Sequence, residues 1–188
     1  MPETVHDPRL HPAPVAGTAT VPLAAFVRPG HRHYFTGTCE RAPYRLRRYA
    51  FPGLGEVMPL VRAFLDTCAA HRDPDYRYLF TLLGSELAAN AVCHSLSGRP
   101  GGHYTLLVHR NRHGLRLTCR DLGAATGEDT RLAPERLPAE AETGRGLALV
   151  DALATDWGDN GYARYRTVWC YLAYDLQGSR WKEPAPVA

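Results

Sequence analysis

The sequence contains no C-x-x-C pair. Its five cysteines, Cys39, Cys68, Cys93, Cys119 and Cys170, stand singly and far apart. That spacing argues against a zinc site or a redox motif and for reduced thiols in a cytoplasmic protein. Long apolar runs are missing as well. The stretch 21–27 is short and follows no basic segment, so no secretory signal is expected, and nothing approaches the length of a membrane-spanning helix. Charge of one sign is not in large excess: the formal net charge is only +3, which does not imply a general nucleic-acid binder. There is no internal repeat. Neither G-x-x-x-x-G-K-[ST] nor G-x-G-x-x-G occurs, so the two most familiar phosphate-loop signatures are excluded.

What remains is a chain of 188 residues with ordinary apolar content, enough for one domain with a real core. Residues 1–38 are rich in Pro, Ala, Gly and His without helical or strand periodicity and read as a disordered arm. His31, Arg32 and His33 within it form either a small metal or phosphate patch or part of a solvated tail. Residues 177–188, with Pro184 and Pro186, read as a C-terminal tail. The folded domain is therefore expected over 39–176.

Within it, 44–51 alternates and stops at Pro52-Gly53, as an edge strand does. Residues 56–70 carry a helical apolar face, and Asp73-Pro74 opens a second helix over 76–95. Strands are expected at 104–109 and 115–120, joined by a turn at Asn111–Gly114. In the latter strand Leu115, Leu117 and Cys119 share one face and Arg116, Thr118 and Arg120 the other, so one face is wet. A polar, proline-broken loop over 127–143 precedes a short helix at 146–154. Strands at 156–158 and 166–174 complete the pattern. The class is α+β: a two-layer sandwich with helices on one face of a mixed, mostly antiparallel sheet.

Three features carry chemistry. On the second helix Glu86 and Asn90 lie about 40° apart, with Leu79 between them and Leu83 and Leu87 just beyond. A carboxylate and an amide in an apolar stripe require partners. The partner is a structural hydrogen bond, water, a metal or a ligand, or else the stripe drifts toward solvent. His94 continues the line by one turn. Next, Asp121 follows a strand and precedes Leu122-Gly123. This is either an ordinary Asp-x-Gly turn or a carboxylate held to accept from an exocyclic amine, with Gly123 admitting a flat ligand. Last, Gly144-Arg145-Gly146-Leu147 opens the short helix, where free N–H groups and the helix dipole favour an anion; a glycine-assisted helix start is the simpler alternative.

In this order and at these separations, Ser85-Glu86-Leu87-Ala88-Ala89-Asn90-Ala91-Val92-Cys93-His94, Asp121-Leu122-Gly123 and Gly144-Arg145-Gly146-Leu147 resemble the N, G1 and G2 boxes of the histidine-kinase-like ATPase (GHKL) superfamily. The resemblance is closest to its small anti-sigma-factor serine kinases of actinobacterial type. Trp157-Gly158, Thr167-Val168-Trp169 and a helix bearing Arg62 ahead of the N box also look like that branch.

The resemblance implies a Bergerat-type ATP-binding fold and a role for each matched residue. Asn90 would coordinate Mg²⁺, and Glu86 would be the general base. Asp121, Gly123 and Thr167 would hold the adenine. Gly144, Arg145, Gly146 and Leu147 would border the phosphates, and 127–143 would form a lid carrying Arg131 and Arg136. Ala125 stands where the G1 box usually has its second glycine, and its methyl group restricts positive φ there. The implied activity is phosphorylation of a STAS-type anti-anti-sigma partner by a protein that otherwise sequesters a sigma factor, often as a homodimer. A nucleotide-dependent switch without catalysis is the alternative. A nucleic-acid role through Arg41, Arg45, Arg47 and Arg48 is explained more simply by a charged edge strand.

Overall fold

A computed structural model describes residues 27–36, 44–124 and 145–182. The chain divides into two compact units, Met1–Arg32 and His33–Ala188, and the secondary structure that follows belongs to the second.

Chain order is β1 (Leu46–Pro52), α1 (Met58–Cys68), α2 (Pro74–His94), β2 (His103–Arg110), β3 (Gly114–Arg120), α3 (Arg145–Leu153), β4 (Asp156–Asp159) and β5 (Thr167–Ala173). The strands form one sheet in the order β1-β2-β3-β5-β4. Every pairing in it is antiparallel. The expected elements are all present, with ends displaced by a residue or two.

Local chemistry accounts for the boundaries. The Asp73 carboxylate accepts from the Tyr76 N–H at 2.9 Å and Pro74 occupies the first turn, so α2 starts with a capped end. At the β2–β3 turn, Asn111 Oδ1 accepts from the N–H groups of His113 and Gly114 at 2.7 and 2.8 Å, a side-chain mimic of a backbone turn.

The core lies between the sheet and α1 and α2. Leu106 and Val108 of β2, Leu115, Leu117 and Cys119 of β3, and Val168, Cys170 and Leu172 of β5 are buried. Against them lie Leu79, Phe80, Leu83, Leu87 and Ala88 of α2 and Val61, Phe64 and Leu65 of α1. Gly84 permits this packing: a Cβ there would stand 2.5 Å from Leu65 Cδ1 and 2.8 Å from Leu117 Cδ2. On the opposite face Arg116 and Arg120 are exposed, and the Arg116 guanidinium lies 3.7 Å from the Trp169 ring centroid. That is the wet face read from the alternation.

Packing also involves residues on both sides of 39–176. The Phe35 ring meets Tyr49 with centroids 5.0 Å apart, and the Ser179 hydroxyl donates to the Leu153 carbonyl at 2.5 Å. No described helix is long and apolar enough to cross a membrane.

Candidate functional site

The last two turns of α2 carry Glu86 and Asn90, both half-buried. They border the buried stripe and face the start of α3. A Cβ built on Gly146 would lie 2.6 Å from Glu86 Oε2 and 3.6 Å from both Oδ1 and Nδ2 of Asn90. The acid, the amide and the glycine of the third motif therefore meet, although some sixty positions separate them in sequence. A methyl group at 146 would push the end of the Glu86 side chain aside.

The Asn90 Nδ2 atom is buried and has no hydrogen-bond partner among the described residues. An unmet donor of this kind costs about 1–3 kcal/mol unless water, an ion or a ligand meets it. Leu147 packs into the core, anchoring beside Glu86 and Asn90 the first turn of α3, where a helix leaves its N–H groups without intrahelical partners. His94, at the end of α2, is exposed.

Asp121 follows β3 directly and is only 7% exposed. Its N–H donates to the Arg166 carbonyl at 2.9 Å, and its Oδ1 accepts from the Gly123 N–H at 2.6 Å. Burial raises its carboxyl above the usual carboxylate range, opposed by the Gly123 N–H and the Arg166 charge. Gly123 has φ +82°, and a Cβ there would stand 1.8 Å from the Ala163 carbonyl oxygen. This glycine permits a close approach to the backbone of Ala163 and Arg164.

Reading residues alone missed what ties this turn to α2. Ser97 is fully buried, and its hydroxyl accepts from the Leu122 N–H at 3.0 Å. The Leu96 N–H donates to the Gly123 carbonyl at 2.8 Å. One turn earlier the Ser95 hydroxyl donates to the Ala91 carbonyl at 2.6 Å and accepts from the Ser97 N–H at 3.0 Å. Gly53 and Gly102 crowd the same peptide: a Cβ on either would come within 1.7 or 2.2 Å of the Ser97 carbonyl oxygen. The signal was present as the turn-rich run Ser95–Gly102, which carries no recognisable chemistry by itself.

Thr167 is not brought into this group. Val168, Cys170 and Leu172 face the helices, so the two-residue period turns Thr167 to the other face with Trp169 and Tyr171. The residue across from Asp121 is Arg166. Its charge acts on Asp121, and its Nε is buried without a partner among the described residues. Counting back by twos from Leu172 would have found it. Arg145 opens α3. Ala125, Gly144 and the expected lid at 127–143, with Arg131 and Arg136, lie outside the described residues. Among the described residues, no three His, Cys, Asp or Glu side chains form a metal cage.

Residues 51–166 match the family model described as the histidine kinase-like ATPase domain. The match takes in Glu86, Asn90, Asp121, Gly123 and Gly146 and ends at Arg166, one residue short of Thr167. No curated protein matches the chain.

Proposed function

Since this chain belongs to the histidine kinase-like ATPase domain family, we propose that it is an ATP-binding regulator acting as a protein serine kinase on a STAS-type anti-anti-sigma partner, and holding a sigma factor when that partner is absent. ATP binding follows from the family. The juxtaposition of Gly146 with Glu86 and Asn90 is the observation that carries the catalytic reading.

In this reading the N-terminus of α3 receives the phosphates and the Asp121 carboxylate accepts from the adenine amino group. Asn90 Oδ1 is a hard oxygen donor of the kind Mg²⁺ takes, and the unmet Nδ2 beside it fits a residue that awaits a ligand. Asn90 would therefore hold Mg²⁺, which when bound supplies neutralisation of phosphate charge. Glu86 accepts the proton of the attacking serine hydroxyl. A bond forms between the serine oxygen and the terminal phosphorus, the bond from that phosphorus to the bridging oxygen breaks, and ADP departs with the electron pair. Transfer of this kind needs positioning and charge neutralisation more than covalent chemistry, and the α2–α3 junction offers both.

The test is incubation with Mg²⁺–ATP and the cognate STAS partner. Phosphoserine on that partner is expected, and Glu86→Gln should abolish it while leaving ATP affinity unchanged. Nucleotide binding without phosphoserine would reject the kinase in favour of a non-catalytic partner switch. Full transfer by Glu86→Gln would remove Glu86 as the base.

A further inference from the structure

The nucleotide site gathers at one end of the strands, after Arg120 of β3. The other end, roughly 20 Å away along β3, has a different character. There the Arg110 N–H donates to the Arg45 carbonyl at 2.9 Å, and the Tyr174 N–H donates to the His113 carbonyl at 2.8 Å. These bonds bring together the start of β1, the β2–β3 turn and the end of β5. The Arg72 guanidinium lies 3.2 Å from the Tyr174 ring centroid, and Arg47 lies 4.1 Å from that of Tyr44. Arg112 Nε donates to His113 Nε2 at 2.7 Å.

Arg45, Arg72, Arg110 and Arg112 have no carboxylate in ion-pair contact among the described residues, whereas Arg77 pairs with Asp66 at 2.5 Å. His71, in their midst, is held down to about 4 by partial burial and by Arg110, Arg72 and Arg47, which marks a strongly positive local field. For a chain of net charge +3 this is a marked asymmetry. Beside it lies a cleft of about 550 Å³ lined by Arg112, Tyr171, Tyr174, Asp175 and Gln177, among others.

We infer that this end of the sheet, where Arg45, Arg72 and Arg110 gather and Arg112 lines the cleft with Tyr171 and Tyr174, docks an acidic segment of a protein partner. Charge complementarity selects an anion. The form of the site selects a peptide over a nucleic acid. The rings of Tyr44 and Tyr174 are already covered by guanidinium groups, so they offer no platform for stacking bases. Asp175 on the cleft wall repels a uniform run of phosphates. Arg72 stacked on Tyr174 is held in position before binding.

The test uses the full chain and two fluorescent probes of equal charge: a peptide of alternating Glu and Tyr, and a single-stranded oligodeoxynucleotide. Anisotropy should show peptide binding that weakens as salt rises. Arg45→Glu combined with Arg112→Glu, both exposed positions, should lower peptide affinity by about tenfold or more. Glutamine at the same two positions should give a smaller loss in the same direction. ATP affinity should be unchanged in both, which verifies the fold and keeps this test separate from that of the nucleotide site. No peptide binding by the wild type, equal binding by the variants, or tighter binding of the oligonucleotide would each overturn the inference.

Discussion

At the scale of single residues, the site depends on atoms that are absent. Gly146 matters because it has no Cβ to strike Glu86 Oε2, which would lie 2.6 Å away. Gly146→Ala should force the carboxylate aside and weaken ATP binding by about tenfold, in the 1–3 kcal/mol range of overpacking; calorimetric titration showing wild-type affinity would refute the contact. Asp121 makes a pH prediction. The acceptor role proposed for it needs the ionised form, and burial raises its carboxyl above the usual range. Protonation therefore begins at a higher pH than for an exposed aspartate. ATP affinity should begin to fall at a higher pH than an ordinary carboxylate would dictate, and Asp121→Asn should be weak throughout. A flat profile in the wild type would show that Asp121 does not read the base.

At the scale of elements, α2 bears the most. Its capped start, its small residue at Gly84 and its end at Ser95 serve respectively to begin it, to seat it on the sheet and to hold the Asp121 turn. Gly84→Val should insert two methyl groups and a Cβ between Leu65 and Leu117, atoms that already stand within 3 Å of the ideal Cβ position. A loss of about 1–3 kcal/mol is expected, measured as a lower urea midpoint with unchanged slope; an unchanged midpoint would mean that α1 moves freely away. Helix periodicity made α2 legible, and two-residue alternation made β3 and β5 legible. The face of Thr167 was not legible in the same way. Its family-like neighbours Val168 and Trp169 suggested a role, while the register of β5 against β3, with Val168 opposite Cys119, decides its face.

At the scale of the whole molecule, nucleotide chemistry and the basic end occupy opposite ends of the same strands. Saturating ATP should slow hydrogen exchange in the first turn of α3, in the last turns of α2 and at Leu122–Ala124. The backbone of Arg110–Gly114 should exchange at an unchanged rate. Equal protection at both ends would show that the ends are coupled through the sheet and are not independent surfaces.

The sequence by itself determined the elements, the wet face of the sheet and the identity of three motif segments, because periodicity, capping and turn chemistry act over a few neighbouring residues. It could not determine which side chains meet. The contact of Gly146 with Glu86, the Ser97 clamp on the Asp121 turn, the placing of Arg166 opposite Asp121, and the gathering of Arg45, Arg72, Arg110 and Arg112 all join residues from separate elements. Each depends on strand order and register, and those are settled only when the apolar faces of α1, α2 and the sheet close on one another.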